Sequence, residues 1–469
     1  MEPGTDPPCL RLPPEIWREI ACYATEDTSS LLAHENSDTF GWTYESKITS
    51  SHYESFITKR NLALVCKQFY EIAEEFLYEA VYIRCAEQAI HLAVLCENAS
   101  TSNVLECLKT YTKELHVVLA IEVILSDADA EFVDLSLRAL VTIVNACKRL
   151  EGVLVRADST TLFLHPTYQP WVVVLAALPH TLKNLNVQNF LLGPVAWTAR
   201  LFDPRTSIEG SGINLSETLQ TLKLEAEHPP IELSFPCLTH LWVFSWPTAS
   251  LWDLPVLTHL YIAYFPGNDS TSSFWIKPQE NFQISDQSTN DTLFSQDSSV
   301  NSVINIHPQI KLLHFGPDTD FGLYHSELPM RLQTSTPRLQ KLEYYLSGDL
   351  EVMWDPKQLP EYIKKVTIKT FGYYELSEIP NLTGRPRVPS ASSYIFSSPY
   401  DQAENEMETQ KYTRDAFTEL LTVVGEDMQR RWGGIRRHLE GYRDDVDVEV
   451  LLPVGRRYQG ARSLRDQDL

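Results

Sequence analysis

The chain has 469 residues, of which 43% are hydrophobic and 22% are charged, and these fractions exclude wholesale disorder. Its 39 basic and 62 acidic residues give a net charge of −23, which argues against nucleic acid or an anionic membrane as the main partner. The sequence shows no signal peptide, no bilayer-spanning apolar run and no zinc-ligand spacing among its eight cysteines. We therefore expect an intracellular protein, cytoplasmic or nuclear, with reduced cysteines and without metal or cofactor.

The N-terminal part of the chain is predicted to be helical. Residues 1–11 are expected to be disordered, and residues 12–84 to form a small helical domain. Ile16 and Ile20 recur one helical turn apart, and a polar insert with little periodicity follows at about 26–59. An apolar stripe then predicts a second helix. Its members are Leu62, Val65, Cys66, Phe69, Ile72, Ala73, Phe76 and Leu77.

The central part, residues 85–389, carries a degenerate repeat close to L-x-x-L-x-L. The copies that we identify begin at Leu150, Leu182, Leu219, Leu238, Leu257, Ile310, Leu339 and Ile363. Each copy predicts a strand, and helices are predicted between the early copies, at 129–147 and 169–178. This alternation is typical of a leucine-rich-repeat solenoid, although its period is irregular. A polar insert at about 267–305 predicts a surface loop or a disordered excursion.

The C-terminal part, residues 390–469, is predicted to be a linker followed by a mostly helical tail, with one strand at 446–452. An arginine-rich cluster in this tail is either an anion-binding or targeting site or a charged helix end, and the second interpretation is favoured. It comprises Arg430, Arg431, Trp432, Arg436, Arg437 and His438. The fold class is therefore predicted to be α/β, with a small helical head, an irregular leucine-rich-repeat-like solenoid and this tail.

Two segments of the predicted head resemble an F-box. Residues 12–20 have the sequence L-P-P-E-I-W-R-E-I, and residues 62–69 have L-A-L-V-C-K-Q-F, where the family typically shows L-x-x-V-C-[KR]-x-[WF]. The continuation F-L-Y-E-A-V-Y-I at 76–83 is similar to F-box proteins of mushroom-type fungi, in which the box leads into irregular leucine-rich repeats. The two halves lie farther apart than in the usual F-box. Either the box carries a surface insert, which we favour because loop closure cost grows slowly with length, or it is degenerate and docks weakly.

The resemblance implies a non-catalytic adaptor. F-box proteins dock on the Skp adaptor of a Skp–cullin–F-box ubiquitin ligase, and the rest of the chain holds a protein substrate, here as a monomer within the hetero-complex. Tethering would make ubiquitin transfer effectively intramolecular. The positions that match the small core of the box or its adaptor contacts are Leu12, Pro13, Ile16, Ile20, Leu64, Val65, Cys66 and Phe69.

Other interpretations of the chain remain open. The two amphipathic helices could form plain core, and the chain could be a scaffold or interaction protein that uses its repeat surface without any ligase. An enzyme is also possible but is ranked third. The reason is that the sequence contains no nucleotide-binding, serine-hydrolase or zinc-protease motif.

The repeat strands predict a second candidate site. In L-x-x-L-x-L strands the leucines point inward, and alternate residues share the opposite face. The candidate substrate-binding residues on that face are His240, Trp242, His259, Tyr261, His314, Lys341, Lys365 and Lys369. Aromatic and cationic residues are typical of binding hot spots and would favour an acidic or phosphorylated substrate surface. Asn184, Asn186 and Lys223 lie at equivalent positions. The alternative is that these side chains are buried under neighbouring loops.

Overall fold

The computed structural model divides the chain into two compact units, Met1–Leu238 and Thr239–Leu469. The residues that it describes are 13–24, 55–98, 103–119, 127–157, 170–188, 215–224, 233–245, 252–265, 309–319, 329, 332, 337–347, 354–371, 408–423 and 433–454. Leu12, residues 1–11, the second polar insert and Arg430–Trp432 therefore lie outside the described residues.

The first unit begins with helices. These N-terminal helices are α1 (Pro14–Ala24), α2 (residues 55–63) and α3 (Lys67–Glu79). The prediction of one continuous helix from residue 62 to residue 77 is wrong, because the chain turns at Leu64 and Val65, and Cys66 precedes α3 in an extended conformation. The apolar pattern of the sequence does not reveal this turn, because Leu64 and Val65 are themselves apolar and continue the pattern. The start of α2 also occupies the end of the predicted polar insert.

A parallel sheet follows, with helices between its first strands. In chain order the elements are β1 (Ala80–Ile83), α4 (Ala86–Glu97), α5 (Val104–Tyr111), β2 (Glu114–Leu119), α6 (Asp127–Ala146), β3 (Gly152–Ala157), α7 (Pro170–Ala176), β4 (Asn184–Gln188) and β5 (Thr221–Leu224). The strands pair in the order β1-β2-β3-β4-β5. Their apolar face forms the core, in which Val155, Leu185 and Leu222 are fully buried. Each such side chain contributes roughly 1.5–3 kcal/mol on burial.

The same backbone step recurs where β3, β4 and β5 begin. The carbonyl oxygen of Lys113 accepts hydrogen bonds from two consecutive amides of the next strand, those of Glu151 and Gly152, at 2.8 and 3.0 Å. The carbonyls of Glu151 and Lys183 make the same paired contacts one and two strands further on. A repeated step of this kind keeps neighbouring strands in register, because it satisfies the donors that precede each ladder.

The second unit is also mostly parallel. Its elements are β6 (His240–Ser245), β7 (His259–Phe265), β8 (Leu312–Thr319), β9 (Lys341–Ser347), β10 (Lys365–Phe371), β11 (Glu408–Thr413), α8 (Arg414–Val423), α9 (Gly433–Glu440) and β12 (Asp447–Val454). Strands β6 to β10 pair in chain order, β12 lies parallel beside β10, and β11 lies antiparallel beside β12.

The predicted α/β class is confirmed, and so is the placement of the repeat strands, because each L-x-x-L-x-L copy puts its second and third apolar residues on a parallel strand. The tail differs from the prediction. Two strands, β11 and β12, accompany its helices and join the sheet of the second unit. The expected strand at 446–452 corresponds to β12, whereas β11 occupies Glu408–Thr413, where no strand was predicted.

Candidate functional site

The two halves of the F-box-like sequence meet in the N-terminal helices. The indole ring of Trp17 in α1 packs edge-on against the ring of Phe69 in α3, with centroids 4.8 Å apart. The guanidinium group of Arg18 pairs with the carboxylate of Glu75 at 2.5 Å. Ala21 and Ala73 are buried. These contacts hold α1 against α3, although the two helices are separated by more than forty residues of sequence.

A second set of apolar residues on these helices faces solvent. Ile16 and Ile20 in α1 are 40% and 43% exposed, and Leu64 and Val65 in the turn before α3 are 72% and 63% exposed. Ile16, Ile20 and Tyr23 follow the i, i+4, i+7 spacing of a single stripe, which lies roughly 100° around α1 from Trp17 and Ala21. Helix α1 therefore has one apolar face that packs on α3 and a neighbouring apolar stripe that does not.

The structure thus separates the predicted adaptor-binding residues into two groups. Phe69 is half-buried against Trp17, and Cys66 is half-buried at the start of α3. Pro13, which precedes α1, is exposed along with Ile16, Ile20, Leu64 and Val65. Further exposed apolar residues that the sequence analysis did not single out are Tyr23, Phe56, Ile57 and Tyr70. Phe56 and Ile57 were assigned to the polar insert, and only their adjacency to the second F-box segment could have indicated them.

The N-terminal helices continue into the sheet without a linker, since α3 ends at Glu79 and β1 begins at Ala80. The residues that precede β2 hold this junction. The ammonium group of Lys113 pairs with Glu79 at 2.8 Å, and the hydroxyl of Thr112 donates to the carbonyl of Tyr78 at 2.8 Å. The exposed apolar stripe is therefore fixed relative to the first strands.

The predicted substrate-binding residues share one face of the second unit's strands. In register, Trp242, Tyr261 and His314 stand side by side on β6, β7 and β8, and His240 stands beside His259. The expectation that this face is exposed is wrong, because His240, Trp242, Tyr261 and His314 are buried. The imidazole rings of His240 and His259 stack at 4.1 Å, and burial lowers the pKa of His240 to about 3. The alternative of burial describes these side chains better.

The predicted lysines of this face are paired with carboxylates. The carboxylate of Glu343 accepts from Lys341 at 2.7 Å and lies 3.4 Å from Lys369, and its other contact is His314 at 2.8 Å. Lys365 pairs with Glu449 at 3.2 Å. We call Glu343, Lys341, Lys369 and His314 the Glu343 cluster. Glu343 and Glu449 were not predicted as site residues, and their charges reduce the positive charge expected of this face.

Burial and charge set the protonation states in the Glu343 cluster. Burial by itself would raise the pKa of Glu343, but the charge of Lys369 and the hydrogen bond with His314 outweigh it and hold this pKa well below its usual range. Burial lowers the pKa of His314 to about 4 and also lowers the pKa of Lys369. At neutral pH the cluster therefore holds a neutral imidazole beside a carboxylate.

Of the tail cluster, the structure describes Arg436, Arg437 and His438. Arg436 pairs with Glu440 one turn along α9 at 2.9 Å. His438 is buried, and its ring nitrogen Nε2 hydrogen-bonds the hydroxyl of Tyr344 at 2.7 Å. Burial lowers the pKa of His438 to about 3, so it adds no positive charge at neutral pH.

The described residues contain no obvious reaction centre. No group of three His, Cys, Asp or Glu side chains among them is placed to hold a metal ion. Burial raises the pKa of the Cys107 and Cys147 thiols to about 12, which keeps them protonated and unreactive at neutral pH. None of the helices in the described ranges combines the length and apolar character needed to cross a membrane.

Comparisons with known proteins do not identify the chain. No protein-family model matches it, and a search of curated proteins finds no match.

Proposed function

We propose that the chain is a non-catalytic substrate-recognition adaptor of a Skp–cullin–F-box ubiquitin ligase. In this proposal the N-terminal helices form an F-box that docks the Skp adaptor and through it a cullin. The repeat strands form an irregular leucine-rich-repeat solenoid that holds a target protein. The proposal gives each part of the chain one task, and it requires no nucleic acid and no membrane.

The observation that carries the proposal is the exposure of apolar residues at F-box positions. Ile16, Ile20, Leu64 and Val65 remain in solvent although the helices that bear them are already packed through Trp17 and Phe69. Apolar residues gain free energy when a partner removes them from water. A helix pair that served only as core would bury this stripe, so its exposure favours the docking role over plain core.

The regular backbone step of the sheet supports the second half of the proposal. Within the units, strands β3 to β5 and β7 to β10 are added in chain order, and each begins with paired amide contacts to a carbonyl just before the preceding strand. Repeat proteins grow in this way, since each unit contacts mainly its neighbours. The direct junction of α3 and β1 would hold a target at a fixed distance from the docked ligase, and such positioning is the physical basis of adaptor action.

The test is a pull-down of purified Skp adaptor with the full chain and with the double variant Ile20→Asp/Leu64→Asp. Both residues are exposed, so the variant is expected to fold, and the wild-type chain is expected to retain the adaptor while the variant loses it. The matched control is Leu135→Asp, which alters a leucine on α6 that is 50% exposed and is expected to leave binding unchanged. Failure of the wild-type chain to bind would contradict the proposal.

The scaffold alternative differs in a second readout. A scaffold would co-purify with its target but not with a cullin, and deletion of the scaffold would leave the half-life of the target unchanged. An adaptor is expected to bring down a cullin, and its loss is expected to lengthen the half-life of the target.

A further inference from the structure

The exposed apolar residues of the N-terminal helices form two surfaces that are flanked by opposite charges. The first, which we call the α1 surface, is the stripe of Ile16, Ile20 and Tyr23. Glu15 and Glu19 are exposed beside it, roughly 60–100° around α1 from Ile16 and on the side away from the face that packs on α3. The α1 surface is therefore apolar with an acidic edge.

The second surface, which we call the α2 surface, carries basic residues instead. Its exposed apolar members, in α2 and in the turn that follows, are Phe56, Ile57, Leu64 and Val65. Arg60 is exposed one helical turn before Leu64, whose amide donates to the carbonyl oxygen of Arg60 at 3.2 Å. Lys67 follows at the start of α3, and its side chain is 91% exposed. The α2 surface is therefore apolar with a basic edge.

The charges at both edges are available to a partner. Among the described residues, Glu15, Glu19 and Arg60 belong to no ion pair. The ammonium group of Lys67 lies 4.0 Å from the carboxylate of Glu71, and an exposed pair at this distance contributes little. One chain thus carries an acidic-edged and a basic-edged apolar surface, and such surfaces are complementary to each other.

We propose that, when no Skp adaptor is bound, a second copy of this chain covers the adaptor site. Within one chain both surfaces remain exposed, so they do not pair with each other there. Between two copies, the α1 surface of each packs against the α2 surface of the other, and the dimer makes the same contact twice about a two-fold axis. The acidic edge of one copy then faces the basic edge of its partner, and the apolar residues leave water.

The contact is small, which suits a dimer that a stronger partner displaces. The two surfaces comprise the seven apolar and four charged residues named above, whereas a stable interface uses roughly 20–30 residues a side. The net charge of −23 on each copy also opposes association, although salt at physiological strength screens it beyond about 8 Å. The Skp adaptor competes with the second copy because both cover Ile16, Ile20, Leu64 and Val65. As a form of regulation of the adaptor site, this inference rests on the proposed function.

Sedimentation velocity of the full chain tests the dimer. The wild-type chain is expected to change from monomer to dimer as its concentration rises. Two charge-reversed variants, Glu15→Lys/Glu19→Lys and Arg60→Glu/Lys67→Glu, are each expected to stay monomeric, because like charges then meet at both contacts. An equimolar mixture of the two variants is expected to restore the dimer, since each contact joins opposite charges again. Restoration also shows that both variants fold.

The matched control is Glu97→Lys/Glu131→Lys, which makes the same change of charge at exposed positions of α4 and α6 and is expected to dimerise at least as strongly as the wild-type chain. Excess Skp adaptor is expected to convert the wild-type dimer into a one-to-one complex. A wild-type chain that stays monomeric, a mixture that stays monomeric, growth beyond a dimer, or a dimer that binds the adaptor without dissociating would each overturn the inference.

The two proposals fail separately in this experiment. A chain that binds the Skp adaptor but never dimerises would overturn the inference and leave the proposed function intact. A chain that dimerises but does not bind the adaptor would contradict the proposed function and leave the self-association standing.

Discussion

Removal of the Glu343 carboxylate is expected to destabilise the second unit strongly. The side chain of Glu343 is 6% exposed, and its carboxylate lies 2.7 Å from the ammonium group of Lys341 and 3.4 Å from that of Lys369. At an effective dielectric constant of about 20, these two attractions amount to roughly 6 and 5 kcal/mol before desolvation. Most of this energy offsets the burial of the charges. Breaking a buried pair from one side nevertheless costs about 3–5 kcal/mol, because it leaves the partner charges buried.

The perturbation is Glu343→Gln, which keeps the shape of the side chain and removes its charge. Urea unfolding followed by tryptophan fluorescence is expected to give a free energy of unfolding about 3–5 kcal/mol lower than that of the wild-type chain. The double variant Glu343→Gln/Lys369→Met is expected to recover part of the loss, since it removes one of the two orphaned ammonium groups. The control is Glu440→Gln, which removes an exposed pair with Arg436 worth at most about 1 kcal/mol. A loss below 1 kcal/mol for Glu343→Gln would refute the electrostatic account of the cluster.

Three further predictions concern buried groups. Burial lowers the pKa of His240 and His438 to about 3 and that of His314 to about 4, so these imidazoles stay neutral in the folded unit while the unfolded chain becomes protonated below about pH 6.5. Stability is therefore expected to fall as pH decreases from 6.5 towards 4, by roughly 1.4 kcal/mol per pH unit for each histidine. Urea unfolding of a His314→Gln variant at several pH values is expected to show a free energy of unfolding that depends less steeply on pH, by the contribution of one histidine, roughly 1.4 kcal/mol per pH unit. Tyr344→Phe removes a hydroxyl that hydrogen-bonds His438, and we expect a lower free energy of unfolding by about 1–3 kcal/mol in the same assay, whereas an unchanged value would show that water replaces the hydroxyl. A thiol reagent at pH 7.5 is expected to leave Cys107 unmodified in the folded chain and to label it in urea, because its pKa is raised to about 12.

The strands of the fold could be predicted from the sequence because the repeat encodes them locally. In Leu182-x-x-Leu185-x-Val187, for example, two apolar residues at alternate positions specify one face of β4. The pairing of the tail strands could not be predicted in the same way. Neither segment carries the L-x-x-L-x-L pattern, and nothing in either segment specifies that β12 lies beside β10 or that β11 pairs with β12.

The candidate site was predictable in part. The F-box motif identified Ile16, Ile20, Leu64 and Val65, but only packing through Trp17 separates them from the residues that form the core. The alternation of the repeat strands grouped the predicted substrate-binding residues correctly on one face. It could not report their burial, because burial depends on residues outside the strands. The partner of the lysines, Glu343, was missed for a related reason, since an acidic residue in a strand gives no local signal of pairing.

The central claim is that the exposed apolar stripe of the N-terminal helices docks the Skp adaptor, and titration calorimetry of the full chain with purified adaptor measures it most directly. The wild-type chain is expected to bind with a negative heat-capacity change, because apolar surface leaves water. The variant Ile20→Asp/Leu64→Asp is expected to show no binding heat, while Leu135→Asp matches the wild-type chain. Absence of binding by the wild-type chain, or equal binding by the double variant, would contradict the account.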